Sequence, residues 1–414
     1  MDRIEAATSP QVLRRVNARR VLEHAWRAGA FTATDVMAAT GLTRSTTIGV
    51  CDELVQQGWL EELGDARAVG AYTKGRPARR YALRERAALV AGIDAGYDHV
   101  STTVADLRGN VVGRSAAAIP AAGPGRIERL ADAAERRELA RRTLHEALQD
   151  AGASESELLA LTVAVPAPVD ADGVSPAENP FWSLTNPGYA DEFRGTAAIV
   201  VVENDANLAA IAEASVPLGG GLDVDSFIAL IVGEGMGAGL MIDRRLVRGR
   251  RGGAGELRFL DHVDGVGSAD GLALLARRWA VDAIRDGLPA DGPLGSLDPD
   301  ALTEADVARA ADAGDPAAVE IVDRLAARLA RICLVLSDLL DVDRVIVSGA
   351  AATAMPIVVD RTAALLAASD DPAAPELRPS RLGDACVATG AIQHALDLLR
   401  DQALDLSPTA RGAA

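Results

Sequence analysis

The stretch covering residues 198–211 changes period in its middle, and that change constrains the fold more than any other feature of the chain. Residues 198–202 form a short β-branched run, the pattern of a strand buried in a parallel sheet. From Asn207 onward the sequence reads as an Ala-rich helix. Glu203, Asn204 and Asp205 stand at the junction. In open α/β sheets, ligands bind beyond the carboxyl ends of the strands. Asn204 can donate and accept, whereas ionised Asp205 only accepts. That pair suits the hydroxyls of a polyol. A helix cap built from Asn204 and Asp205 explains the same residues, so the junction alone leaves both readings open.

The chain has 414 residues, enough for two or three domains. No apolar run approaches the roughly 18–20 residues of a membrane span, and the charged first residues lack a signal-peptide core. The expectation is a cytoplasmic protein with no membrane partner. Cys51, Cys333 and Cys386 are isolated in apolar surroundings and read as core residues. Charge is divided unevenly. Residues 1–90 hold 14 basic and 10 acidic side chains, a net of +4, within a chain of net charge −17. A basic head on an acidic body suggests that only the head meets a polyanion.

The head, residues 1–85, supports that reading. A helix is expected from Ser9-Pro10 through Trp26, a short one capped by Thr34 and stopped by Gly41, and a third capped by Ser45. A short helix, a turn and a second helix make a helix-turn-helix pattern. Two strands, at residues 59–63 and 80–83, then frame a basic loop, which is the form of a wing. The candidate DNA contacts are Thr43, Arg44, Ser45, Thr46 and Thr47 at the start of the third helix, and Lys74, Gly75, Arg76, Pro77 and Arg79 in the wing. The helix carries no Asn, Gln or second Arg for bidentate base contacts. It is therefore expected to position phosphates, with much of the specificity coming from the wing in a minor groove.

In the body, residues 88–94 read as a strand ending in Asp94, followed by a Gly turn and a second strand at 100–105. The pattern returns at residues 226–232, a Gly-rich turn at 233–239, and a strand at 240–242. Further strands are expected at 161–165 and 344–348, and helices at 127–148, 270–284, 317–340 and 385–399. Arg136, Arg137, Arg141 and Arg142 read as a solvated helix face. Two lobes with matching openings enclose a natural small-molecule cleft.

Several ordered motifs now carry a resemblance. In the head they are Leu13-Arg14-Arg15-Val16-Asn17, the run from Thr40 to Thr46, and Gly75-Arg76-Pro77. In the body they are Val165-Pro166 through Asp170, Glu203 to Asn207, Gly235 through Ile242, Ala254-Gly255-Glu256, and Gly390 through Leu396. The chain resembles the ROK family of repressors and sugar kinases, and its head resembles the regulator branch. The resemblance implies an α/β fold: an N-terminal winged helix-turn-helix plus a two-lobed, actin-like (ribonuclease H-like, sugar kinase-type) body. The expected division is a DNA-binding head at 1–85, a first lobe at 86–205 completed by a C-terminal helix at 385–400, a second lobe at 206–384 bearing an oligomerisation surface, and a disordered tail at 401–414. It also implies that Asn204, Asp205 and Glu256 bind a sugar, and that the Asp is the catalytic base in the kinases. The effector set is completed by Asn179, in the loop leading to the junction.

Departures from the pattern bear on chemistry. Where the kinases have Asp-x-Gly-Gly-Thr, this chain has Asp94-Ala95-Gly96-Tyr97-Asp98. Their Gly-Thr-Gly is Gly233-Glu234-Gly235 here. A phosphate cradle needs glycine and backbone N–H groups, and added carboxylates oppose a triphosphate. No kinase activity, catalytic residue or cofactor is therefore expected. The family's zinc-binding His is Phe259 here, and residues 257–275 contain no Cys, so no metal site is expected. The resulting expectation is a transcriptional regulator, a repressor of carbohydrate uptake or use. It would bind an inverted-repeat operator in double-stranded DNA as a homodimer or homotetramer and respond to a sugar or sugar derivative. The alternatives are a sugar kinase that keeps a DNA-binding head, and a ligand-independent DNA-binding oligomer.

Overall fold

The computed structural model describes residues 10–64, 79–119, 132–289 and 291–408. Three helices open the chain: α1 (Pro10–Arg27), α2 (Ala33–Thr40) and α3 (Arg44–Gln56). With them stands a small antiparallel sheet of β1 (Phe31–Thr32), β2 (Leu60–Leu63) and β3 (Arg80–Leu83), in the order β1-β3-β2. The caps differ from the expected ones. Thr32, not Thr34, starts α2, because Asp35 accepts the Thr32 backbone N–H at 2.7 Å while the Thr32 hydroxyl accepts from Asp35, closing a capping box. Thr43, not Ser45, starts α3, its hydroxyl accepting the Thr46 N–H at 3.3 Å.

Two five-stranded sheets form the body, and they share one topology. The first comprises β4 (Leu89–Asp94), β5 (His99–Ala105), β6 (Val111–Ala118), β7 (Leu158–Val165) and β8 (Ile199–Asn204), in the order β6-β5-β4-β7-β8. The second comprises β9 (Phe227–Val232), β10 (Met236–Ile242), β11 (Arg245–Val247), β12 (Arg344–Ser348) and β13 (Glu376–Pro379), in the order β11-β10-β9-β12-β13. In each, the first three strands are an antiparallel meander and the last two run parallel to the first. The repeated strand–glycine–strand openings in the sequence are the first turns of these meanders.

Helices cover the sheets. On the first, α4 (Ala133–Asp150) packs against β5 and β6, and the short α5 (Pro180–Thr185) and α6 (Tyr189–Glu192) lead into β8. Then α7 (Asp205–Ser215) leaves β8 directly. The second sheet shares a large apolar core with α8 (Leu272–Arg285), α9 (Glu304–Asp312), α10 (Pro316–Leu340), α11 (Ala350–Ala354) and α12 (Pro356–Ala367). Finally α13 (Cys386–Gln402) returns to lie on β4 and β7 and against α7, while α7 lies on β9 and β10. The centre of the body is therefore layered as first sheet, α13, α7, second sheet. Glycines allow close backbone contacts on both sides of α7. A Cβ on Gly390 would sit 1.9 Å from the Leu208 carbonyl oxygen, and one on Gly239 would sit 2.0 Å from the Ala206 carbonyl oxygen.

Three expectations are corrected here. Arg136 is fully buried rather than solvated, donating to the carbonyls of Ala95 (3.1 Å), Gly96 (2.5 Å) and Tyr97 (3.5 Å). Arg137 is half-buried and donates to Pro187, so only Arg141 and Arg142 face solvent. The segment expected as a disordered tail is ordered through residue 408: α13 reaches Gln402, and Ala403 behind it is fully buried. Asp401 and Asp405 there accept from Arg19 and Arg15 of α1, each at 2.6 Å. The head is also no separate bead. Trp26, Leu54, Trp59 and Leu83 share one apolar cluster with Leu107, Leu396 and Leu399. All three cysteines are buried, as expected, and burial pushes their thiols up, Cys51 to about 11 and Cys333 and Cys386 to about 12. Among the described residues, no helix is long and apolar enough to cross a membrane.

Two glycine replacements should act in opposite directions. Gly390→Ala forces a methyl into the α7 backbone and should cost about 1–3 kcal/mol. Gly49→Ala, in α3, adds a methyl with nothing within 4 Å and should add about 1 kcal/mol through helix propensity. Urea unfolding of the two variants against the parent chain measures both.

Candidate functional site

At the strand-to-helix junction, Asn204 caps the helix and also ties neighbouring groups together. The Asn204 side-chain oxygen accepts the Asn207 N–H at 3.0 Å and caps α7. Its amide nitrogen donates to the Ala167 carbonyl and to Asp205 Oδ1, each at 3.2 Å. Asp205 Oδ1 also accepts the Ala206 N–H at 2.8 Å. Both of these hydrogen bonds fall on one Asp205 oxygen, Oδ1. Behind the junction, buried Glu203 accepts the Asn204 N–H and the Asn207 amide through one oxygen and Arg248 Nε at 2.6 Å through the other.

Burial pushes the Asp205 carboxyl up to about 7, with the charge of Asp94 and then that of Glu256 adding to the effect. Three carboxylates from different elements therefore converge. Asp94 ends β4, and Glu256 sits in the loop after β11. That loop is held by backbone contact: a Cβ on Gly255, whose φ is 86°, would sit 1.8 Å from the Ala238 carbonyl oxygen. Burial likewise raises the Glu256 carboxyl, and nearby Arg258 opposes the rise.

A cavity of about 750 Å³ opens beside the junction, with Glu178, Asn179, Trp182, Arg251, Glu256 and Arg258 among its lining residues. Of the four expected effector residues, Asn179 and Glu256 line it directly. Asn204 and Asp205 adjoin it, through Ala167 next to the lining Pro168 and through the charge interaction with Glu256. Asn179 also caps α5, accepting the Phe181 N–H at 2.9 Å. Arg251 and Arg258 carried no signal in the sequence; Arg251 lies in the loop after β11 and Arg258 opens a short 3-10 helix.

The two loops that correspond to phosphate cradles are closed by side chains. His99 lies over Gly96, so that a Cβ there would meet the ring at 2.6 Å. The ring bonds Asp98 at 2.9 Å and Asp94 at 3.4 Å, and those bonds raise its basicity to about 10. From below, Arg136 takes the loop's carbonyls, and Tyr97 stacks on Phe181 with centroids 6.3 Å apart. In the second loop, Glu234 pairs with Arg277, which also holds Glu304 at 3.0 Å. Phe259, at the position of the resemblance's zinc-binding His, packs on the second lobe's apolar core, and this donor set does not fit a zinc ion.

In the head, Thr43, Arg44 and Ser45 are exposed and Thr46 is half-exposed at the start of α3. Thr47 is a correction: it is fully buried beneath Val50 and Cys51, so its side chain cannot meet DNA, and half-exposed Ile48 faces outward in its place. Arg79 is held by Glu62 and by Asp52 at 2.8 Å. Lys74, Gly75, Arg76 and Pro77 lie outside the described residues.

Two matched sheets around a pair of central helices, a cleft lined with carboxylates at the strand ends, and a helical head define a two-lobed actin-like protein of the sugar kinase and repressor type. The chain belongs to the ROK family, whose sequence profile matches residues 90–397. A xylose repressor of Caldicellulosiruptor bescii is 24% identical over 280 residues, 66% of each chain. A glucokinase of Halalkalibacterium halodurans is 27% identical over 165 residues, 36% of this chain and 48% of that one. The chain spans about half the length of the first curated relatives it matches. The crystal structure of a ROK family transcriptional regulator, a homologue of the E. coli MLC protein, aligns with TM-score 0.71 over 93% of this chain and 96% of that one, at 20% identity. A ROK family glucokinase from Streptomyces griseus, in complex with glucose and AMPPNP, aligns with TM-score 0.58 over 75% and 99%, at 24% identity. These likenesses establish the fold.

The raised Asp205 carboxyl has a pH consequence. Its folded-state value, about 7, lies above the unfolded one, so the folded chain holds the extra proton between them. This residue's contribution should fall as pH rises from about 4 to about 7 and stay level above that. Asp205→Asn keeps the Ala206 hydrogen bond and removes the charge. In urea titrations the variant should be more stable than the parent at pH 8, with the gap closing near pH 4.

Proposed function

We propose that this protein is a DNA-binding transcriptional regulator of repressor type, whose effector is a sugar or sugar derivative bound beside Asn204, Asp205 and Glu256. The observation that carries this reading is the continuity between the effector junction and the head. Asp205 begins α7. The Leu208 backbone touches Gly390 of α13, and the far end of α13 enters the head's apolar cluster at Leu396 and Leu399. Beside this path, half-buried His394 of α13 feels the charges of Glu203 and Arg248, and burial lowers its basicity. A ligand that draws Asp205 and Glu256 together changes the seat of α7, hence of α13 and the head. It acts by binding one arrangement better than the other.

The head supports the DNA-facing half of the proposal. Arg44 has no partner among the described residues and stands exposed with Ser45 at the α3 N-terminus, where backbone N–H groups favour phosphate. The wing residues Lys74, Gly75, Arg76 and Pro77, together with Arg79, complete the proposed contact. The regulator works in the cytoplasm as a homodimer or homotetramer on an inverted repeat, so that effector binding changes half-site spacing.

One observation favours an enzyme instead: a carboxyl near pH 7 at Asp205 suits a general base. The loops oppose that reading. His99 lies over Gly96 in the first, and Glu234 sets a carboxylate in the second, which together disfavour a triphosphate. The proposed protein therefore performs no phosphoryl transfer.

Fluorescence anisotropy with DNA from upstream of its own gene, repeated across a sugar panel, tests the proposal. Arg44→Ala should weaken binding roughly tenfold and lower the salt dependence. A responsive sugar should lose its effect in Asp205→Ala while DNA affinity without sugar persists. Sugar-dependent ATP hydrolysis that disappears in Asp205→Ala would establish the kinase reading instead.

A further inference from the structure

The loop between β10 and the turn after Glu256 departs from the electrostatics of the rest of the body. Residues 244–258 hold six arginines and one acid, Glu256. Residues 91–414 as a whole carry a net charge of −21. Most of the loop's arginines sit outside the cavity. Arg244 pairs with Asp225 and Arg248 with Glu203. Arg251 and Arg258 are different: both line the cavity, both are exposed, and neither has a hydrogen-bond or ion-pair partner among the described residues. Glu178 lines the same cavity and pairs with neither of them.

Two unpartnered guanidinium groups at one wall of a cavity are expensive to leave without an anion once a ligand excludes water. They also suit one geometry well, the bidentate recognition of a planar carboxylate or of phosphate oxygens. Glu256 lines the same cavity and Asp205 adjoins it through its charge interaction with Glu256. These carboxyls can accept from hydroxyl donors. Trp182 adds an apolar surface to the lining.

We infer that the effector is an anionic sugar, a polyol carrying a carboxylate or phosphate, held at its hydroxyl end by Asp205 and Glu256 and at its charged end by Arg251 and Arg258. The inference rests on the sugar-effector reading and narrows it to one chemical class. It also gives a physical reason for the lost histidine. Phe259 removes a donor and acceptor from the hydroxyl side, and the paired arginines supply anchoring at the other end.

Calorimetric titration of the full chain tests this with glucose, galactose, mannose and xylose. Each is supplied as the neutral aldose, as a carboxylate derivative and as a terminal phosphate, with inorganic phosphate alone as the control. At least one anionic member should bind about tenfold or more tightly than its neutral parent, the gain expected from charge-assisted hydrogen bonds. The double variant Arg251→Ala/Arg258→Ala should abolish that preference. Arg251→Lys/Arg258→Lys should restore part of it. The carboxylate and phosphate arms identify which anion the site takes. Equal binding of neutral and anionic forms overturns the inference and leaves the sugar-effector reading standing. So does a preference that survives the double alanine variant, or inorganic phosphate binding as tightly as the sugar anions. Binding of no sugar in any form overturns both. Unchanged thermal unfolding of the ligand-free variants confirms that they fold.

Discussion

The contact between α7 and α13 is the constraint on which the rest of the molecule depends. Helices normally pack with axes 8–10 Å apart, side chain against side chain. Here Gly390 removes the side chain on one partner, and the Leu208 carbonyl comes within van der Waals reach of the other backbone. Gly239 does the same on the opposite face, against Ala206. Helix α7 is thus met by backbone on two sides, within an apolar cluster that includes Leu208, Ile211, Met241 and Val387. Packed interiors move between discrete arrangements and do not deform smoothly. A shift of α7 at its N-terminus must therefore carry the second sheet on one side and α13 on the other.

The cleft's electrostatics follow from the same architecture. Matching strand orders bring the ends of β4 and β8 and the loop after β11 to one place, and each delivers a carboxylate. Three such groups cannot all stay ionised cheaply in a partly buried cleft. The chain meets that cost in two ways. Asp205 is pushed to about 7, so it holds a proton part of the time at neutral pH. Asp94 receives the cationic ring of His99. The second solution has a consequence for chemistry, because the histidine that neutralises Asp94 also lies over Gly96. The same side chain thus faces Asp94 and covers Gly96.

Much of this was legible in the sequence where the signal was local. The switch of period at residues 198–211 located β8 and α7 to within a residue or two. The β-branched run at 344–348 matched β12, and the repeated strand–glycine–strand openings foretold two similar sheets. What was not legible depended on tertiary partners. Arg136 has the spacing of a solvated face, and its burial is explained only by three carbonyls from a loop some forty positions earlier in the chain. Thr47 looked exposed because its helix was expected to start two residues later; with Thr43 as the cap, Thr47 turns inward beside Val50 and Cys51. The segment after residue 400 has the composition of a loose tail, yet α1 supplies arginines that hold it. In the candidate site, Asn204, Asp205 and Glu256 were readable from motif, whereas Arg251 and Arg258 became visible only once the cavity was.

The coupling of head to body can be weighed by magnitude. A hundredfold change in DNA affinity requires about 2.7 kcal/mol of difference between two head arrangements. The ion pairs of Arg15 with Asp405 and Arg19 with Asp401 are more than half exposed on both sides, and exposed pairs of this kind contribute about 0–1 kcal/mol each. They can tune an orientation but cannot set it. The apolar contact can. Trp26 and Trp59 lie 5.9 Å apart, Trp26 donates to the Leu107 carbonyl at 3.1 Å, and both rings share their cluster with Leu396 and Leu399 of α13. Removing one such buried aromatic side chain altogether costs about 3–5 kcal/mol, so a partial change in this contact is of the required order. In the proposed mechanism it is this apolar contact, through α13, that a shift of α7 would reach.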